Sequence, residues 1–582
     1  MHKHICSLTS DVAAYLAEDL GVEISVSTMA CPLPEQGDVA LNVAFAAEKV
    51  LRTTPMRTTP MRIAEKIASH LNAFDYVAVA TACYPGFVNI LFSDEALKLA
   101  LGAVQSDPNH GIAQADSPET IILDFGGPNI KPMHVGHMRS LFLGEALRRI
   151  LISLGHRVTS DIHFGDWGMP SGIILEELKH RMPDLPWFDS KQSEYPEYPP
   201  ISPSEIADLY PSGSAACKED LARKMQAKET TVRLQEGDPA LTDLWEKVSG
   251  ACKKDILQVC EQLGAHFDLT LGEADAHKDI PEVLELFAAA GASTEEEGDT
   301  IVDVRLPEDK YDVPPVFLSK EDGSTLYATT DIATVLARVR DFNPDRILYV
   351  VDERQALHFL QIKRAVGMIP AWDNLVIEHV GFGTVNGSDG KPFKTRDGNV
   401  MPLTSLLDVV ATTALERLND TPPDDAEELS SMIATAALRI ADLSTHRQSG
   451  YSLDVDKAVS FEGRTGPYLL YSVVRMRKLL DQQTDADVSA ICFDVPIMRE
   501  LCNHILNFGS AVHSSAAASA PHLLVNWSFE CAAALNRFYA TCPVSTETDT
   551  RLKSSRIALA SVAVQTLEHA LVLLGCQIPK KM

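Results

Sequence analysis

Two histidines flanking a glycine, His134-Val135-Gly136-His137, stand where an apolar run gives way to a helical pattern. Ile121 to Phe125 is mostly apolar and predicts a buried strand, and a Gly-Gly-Pro turn follows. Met138, Leu141, Phe142, Ala146, Leu147 and Ile150 then repeat at helical spacing, predicting a helix from about Val135 to Leu154. A strand-to-helix junction offers free backbone N–H groups and a positive dipole end to a phosphate. Imidazoles three residues apart share one helix face, and Gly136 leaves room between them for a flat ring. By itself the pair could equally be two exposed histidines at a helix start. Zinc is not expected, because metal pairs on a helix usually come with a carboxylate or Cys third ligand nearby.

A second set lies far along the chain, in Gly383 to Gly398, GTVNGSDGKPFKTRDG. Glycines at 387, 390 and 398 predict a mobile loop, on which Lys391, Lys394 and Arg396 place three cations. A solvated hairpin would read the same way in isolation. Paired with the histidine corner, the loop suits transfer of a nucleotidyl group from ATP, where charge develops as pyrophosphate leaves. A third set separates the two. Tyr327 and Asp331 occupy one helix face, and Asp352 to His358 follows a strand, where open α/β sheets bind ligands. An acidic pair with a buried phenol suits a guanidinium, which offers five donors and is always charged. The alternative is an Asp that merely caps a helix.

The elements that must position these groups follow from periodicity. Residues 1–115 predict a small α+β domain: a helix opening at Gly37-Asp38 and running through Lys49, another over Ile63 to Leu71, and strands over 77–82 and 87–92. A duplicated RTTPM at 52–61 lengthens a loop, and 106–119 forms a linker. Residues 116–425 predict a doubly wound parallel sheet with an insertion at about 181–300, the sheet resuming with Ile301–Leu306 and Pro315–Leu318. TPPDDAEEL at 421–429 punctuates the chain before an all-helical part, 426–582. The fold class is therefore α/β, with a small α+β N-terminal domain and an all-α C-terminal bundle.

With 582 residues, 45% hydrophobic and 23% charged, the composition is that of an ordinary globular protein. A net charge of −29 argues against indiscriminate polyanion binding, so a nucleic-acid surface must be a local patch. Residues 431–480 supply one, with seven Lys and Arg against four Asp and Glu. Eleven cysteines without a CxxC pair predict reduced thiols and a cytoplasmic setting. No signal peptide and no membrane span are expected.

Taken together, PNIKPMHVGH, GDWG, LYATTDIA, VDERQALHF, DGKPFKTRDG and SFEGRTGPYLLYSVVRMR resemble the arginyl-tRNA synthetases, class I aminoacyl-tRNA synthetases, over nearly the whole chain. The resemblance implies a class I Rossmann-type catalytic domain, an N-terminal tRNA-contacting domain and an anticodon-binding bundle. It implies ATP with Mg2+, L-arginine and tRNA(Arg) as partners, no membrane, and a monomer. His134, Gly136 and His137 would bind the ATP phosphates, with Lys391, Lys394 and Arg396 on the catalytic loop. Lys131 would stand in for a lysine that this loop lacks. Asp124, Asn129, Tyr327, Asp331 and Gln355 would hold arginine. Arg439, Arg447, Arg464, Tyr468, Arg475 and Arg477 would contact tRNA, with Tyr471 and Phe538 as further stacking candidates.

Three departures from the family pattern qualify this. The turn before the histidines is one residue short between Asn129 and Lys131, Gly126-Gly127 stand where many relatives have serines, and Pro170 stands where Gln is common. With the duplicated RTTPM, they leave open a tRNA-binding paralogue impaired in activation. Another nucleotidyltransferase of the same superfold is the third reading, and such chains lack the helical domain.

Overall fold

The computed structural model describes all residues except 1, 30, 32–35, 53–57, 193, 198, 200, 202, 322–323, 388–389, 392, 394–400, 419–422 and 482–486. Most of the first RTTPM copy, the start of TPPDDAEEL, Lys394, Arg396 and Gly398 thus lie outside the described residues. The chain divides into two compact units. One, the sheet unit, comprises 116–417 and 445–456; the other, the helical unit, comprises 1–115, 418–444 and 457–582.

In the sheet unit, strands β1 (Thr120–Phe125), β2 (Arg157–Asp161), β3 (Arg346–Val350) and β4 (Val376–His379) form a parallel sheet of order β4-β3-β1-β2. β1 is buried on both faces, which is why it reads as a continuous apolar run. Helices α1 (Met138–Ser153), α2 (Met169–Arg181), α3 (Tyr327–Phe342) and α4 (Ala356–Val366) connect and cover the strands. The strand order reverses between β1 and β3, so the crevice at their C-terminal ends is the topological switch point. Register sets what gathers there: Asp124 on β1 lies opposite Asp161 on β2 and Tyr349 on β3. Three longer helices, 203–219, 221–235 and 239–262, fill the predicted insertion.

One expectation for this unit fails. Strands 299–302 and 316–319 do not rejoin the parallel sheet; with 294–296 they make a separate antiparallel sheet. Their apolar residues, Val302, Val316 and Leu318, are buried with Ile332 and Val335 of α3, and an apolar run alone does not specify which sheet it joins. The compact sheet unit runs to 417, and residues 445–456 return to it. They return because β6 (Tyr451–Ser452) pairs in parallel with β5 (Val385–Asn386).

The helical unit contains α5 (Pro423–Leu443), α6 (Gly466–Leu480), α7 (His522–Thr541) and α8 (Thr550–Leu573). Helix α8 is long and apolar enough to cross a membrane, yet 72% of its apolar window is buried within the protein, as befits a core helix. The same unit holds a four-stranded antiparallel sheet in the order 28–29, 39–41, 87–92, 77–83. Here Gly37–Asn42 does not open a helix. Val39–Leu41 is a buried strand against Val88–Ile90, and the helix begins only at Val43.

Asp38, just before that strand, explains why. Its buried carboxylate accepts from Phe92 N at 2.8 Å and from Asn503 at 2.8 Å, and it pairs with Arg499 at 2.8 Å. Removing one partner of a buried pair leaves an uncompensated charge and costs about 3–5 kcal/mol. Arg499→Ala should therefore lower the unfolding free energy by about 3 kcal/mol in urea titration. D38N with R499M should regain much of it.

Candidate active site

The switch-point crevice opens into a cleft of about 830 Å3, lined by His134, His137, Lys131, Asn129, Asp124, Tyr327, Asp331 and Gln355. Eight residues predicted from three separate stretches, 124–137, 327–331 and 355, therefore share one cavity. Gly383 and Thr384, at the stem of the cationic loop, line it too.

The histidine corner begins with a turn that packs closely on neighbouring backbone at Gly127. A Cβ on Gly127 would lie 1.9 Å from the His163 carbonyl oxygen. Ser140 of α1 ties the turn to the sheet, accepting from Gly126 N at 2.7 Å and donating to Val350 O at 2.6 Å. Val135–His137 then form one 3-10 turn ahead of α1. Both imidazoles serve as caps: His134 Nδ1 accepts from Gly136 N at 3.1 Å, and His137 Nδ1 accepts from His134 N at 3.0 Å. An Nδ1 that accepts must carry its proton on Nε2, so both rings have one N–H left to donate. Burial, then the neighbouring His134 and Lys131, push His137 down to about 3; burial and Lys131 also lower His134. The ring centroids lie 3.9 Å apart with their planes tilted by 32°, and both rings are held toward the neutral form.

The turn from Asn129 to Lys131 keeps both residues at the cleft. Lys131 N donates to Asn129 O at 2.7 Å, Asn129 bridges to Gly165 of the GDWG stretch, and both Asn129 and Lys131 remain in the cleft wall. Pro170, in the first turn of α2, lines the same wall.

The cleft also has acidic lining. Asp331, one turn into α3, holds His358 of α4 at 2.5 Å. Glu273, which the sequence reading passed over, lines the cleft at the N-terminus of a short helix, 273–276. Burial first and Asp331 second push its carboxyl up to about 7. Tyr327 is not the buried phenol expected; it is 59% exposed at the rim, because it is the first residue of α3. Asp124 is not an open carboxylate either. Arg338 of α3, 1% exposed, pairs with both Asp124 and Asp161 at 2.6 Å. That internal guanidinium satisfies two of the acids, leaving Asp331 and Glu273 facing the cleft. Asp352 is a cap, accepting from Arg354 N at 2.8 Å and pairing with the Arg354 side chain.

The tRNA-contact candidates divide sharply. Arg439 is fully buried with its guanidinium on Leu574 O at 3.3 Å, and Phe538 is fully buried, so neither can reach a nucleic acid. Both sit on helix faces turned into the bundle. Arg447 belongs to the sheet unit, donating to Gly381 O at 2.8 Å. Arg477 is paired with Glu568, and Tyr468 accepts from Asn536 at 3.0 Å and stacks on Phe529. Arg464, lying over Phe529, and Arg475, lying over Tyr539, are exposed, as is Tyr471. Lys391 is exposed on the loop.

The parallel sheet thus carries the His-x-Gly-His corner after β1 and the stem of the cationic loop after β4. Residues 102–455 match the family model of the class I (R) tRNA synthetase catalytic domain. Residues 7–92 match the arginyl-tRNA synthetase N-terminal domain and 469–582 the DALR anticodon-binding domain. An arginine–tRNA ligase of Francisella tularensis is 37% identical over 590 residues, covering 98% of this chain and 99% of its own. One from Agathobacter rectalis is 36% identical over 571 residues, covering 94% of each. The chain belongs to the arginyl-tRNA synthetase family. Its fold is that of the arginyl-tRNA synthetases of Plasmodium falciparum (TM-score 0.83, 21% identity, 99% of both chains) and Thermus thermophilus (TM-score 0.80, 22% identity, 99% of this chain and 100% of that one).

Proposed function

We propose that the chain is an arginine–tRNA ligase, which activates L-arginine with ATP and passes it to the 3′-terminal adenosine of tRNA(Arg). The observation that carries this reading is one cleft lined by two neutral imidazole donors and Lys131 together with Asp331 and Glu273. In the first step an arginine carboxylate oxygen attacks the ATP α-phosphorus, the bond to the β-phosphate bridging oxygen breaks, and pyrophosphate leaves. The imidazole N–H groups and the loop cations donate to phosphate oxygens where charge accumulates. In the second step the adenosine 2′-oxygen attacks the activated carbonyl, loses its proton, and AMP leaves. Arginine's guanidinium lies between Asp331 and Glu273, with Tyr327 at the rim. Asn129 and Gln355 reach its α-substituents, and Asp124, held by Arg338, shapes the wall beneath. Mg2+ accompanies ATP as the counter-ion of its phosphates. Alignment of the reactants supplies most of the rate.

The enzyme works as a monomer in the cytoplasm, and the exposed Arg464, Arg475 and Tyr471 of the helical unit contact tRNA. Arginine-dependent ATP–pyrophosphate exchange, measured with and without tRNA(Arg), tests the reading. Exchange in at least one condition is expected. Its absence in both, with tRNA still bound, would instead establish the impaired paralogue.

A further inference from the structure

Arg139 lies two residues after the second histidine, on α1, and is 2% exposed. A guanidinium that deep is costly unless its donors are met. Its Nη1 donates to Gly383 O at 3.0 Å and to Ser449 O at 2.7 Å, and its planar head lies 5.3 Å from the Tyr451 ring centroid. Gly383 opens the cationic loop. Ser449 and Tyr451 belong to the strap, residues 445–456, that returns to the sheet unit.

We infer that Arg139 is a positioning residue, which fixes the stem of the cationic loop to the histidine helix through this strap. The stem is held along its length. Gly383 N donates to Arg447 O at 2.8 Å, Tyr451 N to Thr384 O at 3.0 Å, and Leu453 N to Asn386 O at 2.9 Å. The fit is close enough that a Cβ on Gly383 would lie 2.7 Å from Gly450 N. From that stem the chain runs to Lys391, whose carbonyl accepts from Gly387 N at 2.7 Å.

Beyond the loop, the chain comes back to the same corner: Val135 N donates to Met401 O at 3.2 Å and Leu403 N to Met133 O at 3.0 Å. Backbone hydrogen bonds make that second attachment. The first is made through the Arg139 side chain. A cation supplied by the loop must meet phosphate oxygens set by the imidazoles, so the distance between stem and histidines has to be reproduced at each turnover. The guanidinium head, which meets two carbonyls and a ring at once, sets it more firmly than the point charge of a lysine.

This inference rests on the proposed role of the loop, and the test separates the two. In pyrophosphate exchange with tRNA present, Lys391→Ala is expected to slow the reaction. Arg139→Gln should slow it by ten- to about a hundredfold, the cost of a displacement of order 1 Å, with the arginine KM within twofold of wild type. Arg139→Lys should recover part of the rate. Tyr451→Leu, which spares the guanidinium and the ladder, should lose severalfold in the same parameter. In the K391A background, R139Q should cost far less than it does alone, since both act through one element.

A wild-type rate for R139Q beside a slow K391A would overturn the assignment and leave the loop's role intact. An arginine KM that rises in step with the loss would also overturn it, because the residue would then be shaping the pocket. A wild-type rate for K391A would remove the loop's role, and this inference with it.

Discussion

His137→Ala lowers the rate of adenylate formation by about 10²- to 10³-fold, the usual cost of one donor aimed at developing charge. Affinity for tRNA stays within about twofold, since the residue lies in the switch-point cleft of the sheet unit. The effect is a lost hydrogen bond rather than a lost charge. His137 is held neutral, down to about 3, first by burial and then by His134 and Lys131. His134 N occupies its Nδ1, so Nε2–H is the group presented to phosphate. His137→Asn, which keeps an N–H donor, should therefore recover more of the rate than His137→Ala.

The same arrangement fixes two pH responses. Between pH 6 and 8 the exchange rate shows no step from His137, whose folded-state value lies far below that range. Stability behaves differently. The folded protein binds His137 neutral while the unfolded chain protonates it near 6.5, so its contribution is complete above 6.5 and is lost as pH falls toward 3. Replacing His137 should flatten that part of the acid-unfolding curve. A rate that tracks an ionisation near 6.5 and disappears in H137A would contradict the neutral-donor assignment.

How much of this was legible in the sequence depends on the range of the interaction. The strand at 121–125, its turn and the following helix are local, and an apolar run, a Gly-Gly-Pro turn and a 3.6-residue period locate them within a residue or two. Val39–Leu41 was misread because a three-residue strand has no period, and the carboxylate that anchors it is met by Arg499, 461 positions away. Arg439 and Phe538 carry the same residue types as genuine surface contacts. Only packing decides that their helix faces turn inward. The pairing of Arg338 with Asp124 and Asp161 depends on strand register across the sheet, which no spacing in the chain reports. Glu273 is subtler still. It sits in a stretch read as insertion, and it reaches the cleft only because Gly272 bridges to Phe164 beside the GDWG stretch.

Glu273 is also where the proposed specificity for arginine becomes measurable. Its carboxyl is pushed up to about 7, first by burial and then by Asp331, with His163 opposing the shift. A guanidinium keeps its charge throughout this range, so the pH dependence of arginine binding belongs to the protein. As pH falls below 7, Glu273 takes up a proton and the incoming cation must expel it. The KM for arginine should then rise, approaching tenfold per pH unit, while the KM for ATP stays level. Above 7 the curve flattens, because the carboxylate is already ionised. Glu273→Gln should abolish the pH dependence and raise the arginine KM at pH 8 by about 10- to 100-fold, the loss of one charge-assisted hydrogen bond. Asp331→Ala should raise the same KM and also release His358, yet keep a pH dependence shifted to lower pH, since the neighbour that raises Glu273 is gone. An arginine KM that is flat from pH 6 to 8 in the wild type, or an E273Q variant that weakens ATP and arginine equally, would remove Glu273 from the guanidinium site. The acidic lining offered to the guanidinium would then rest on Asp331 alone, and a single carboxylate already shared with His358 gives little reason to choose arginine over lysine.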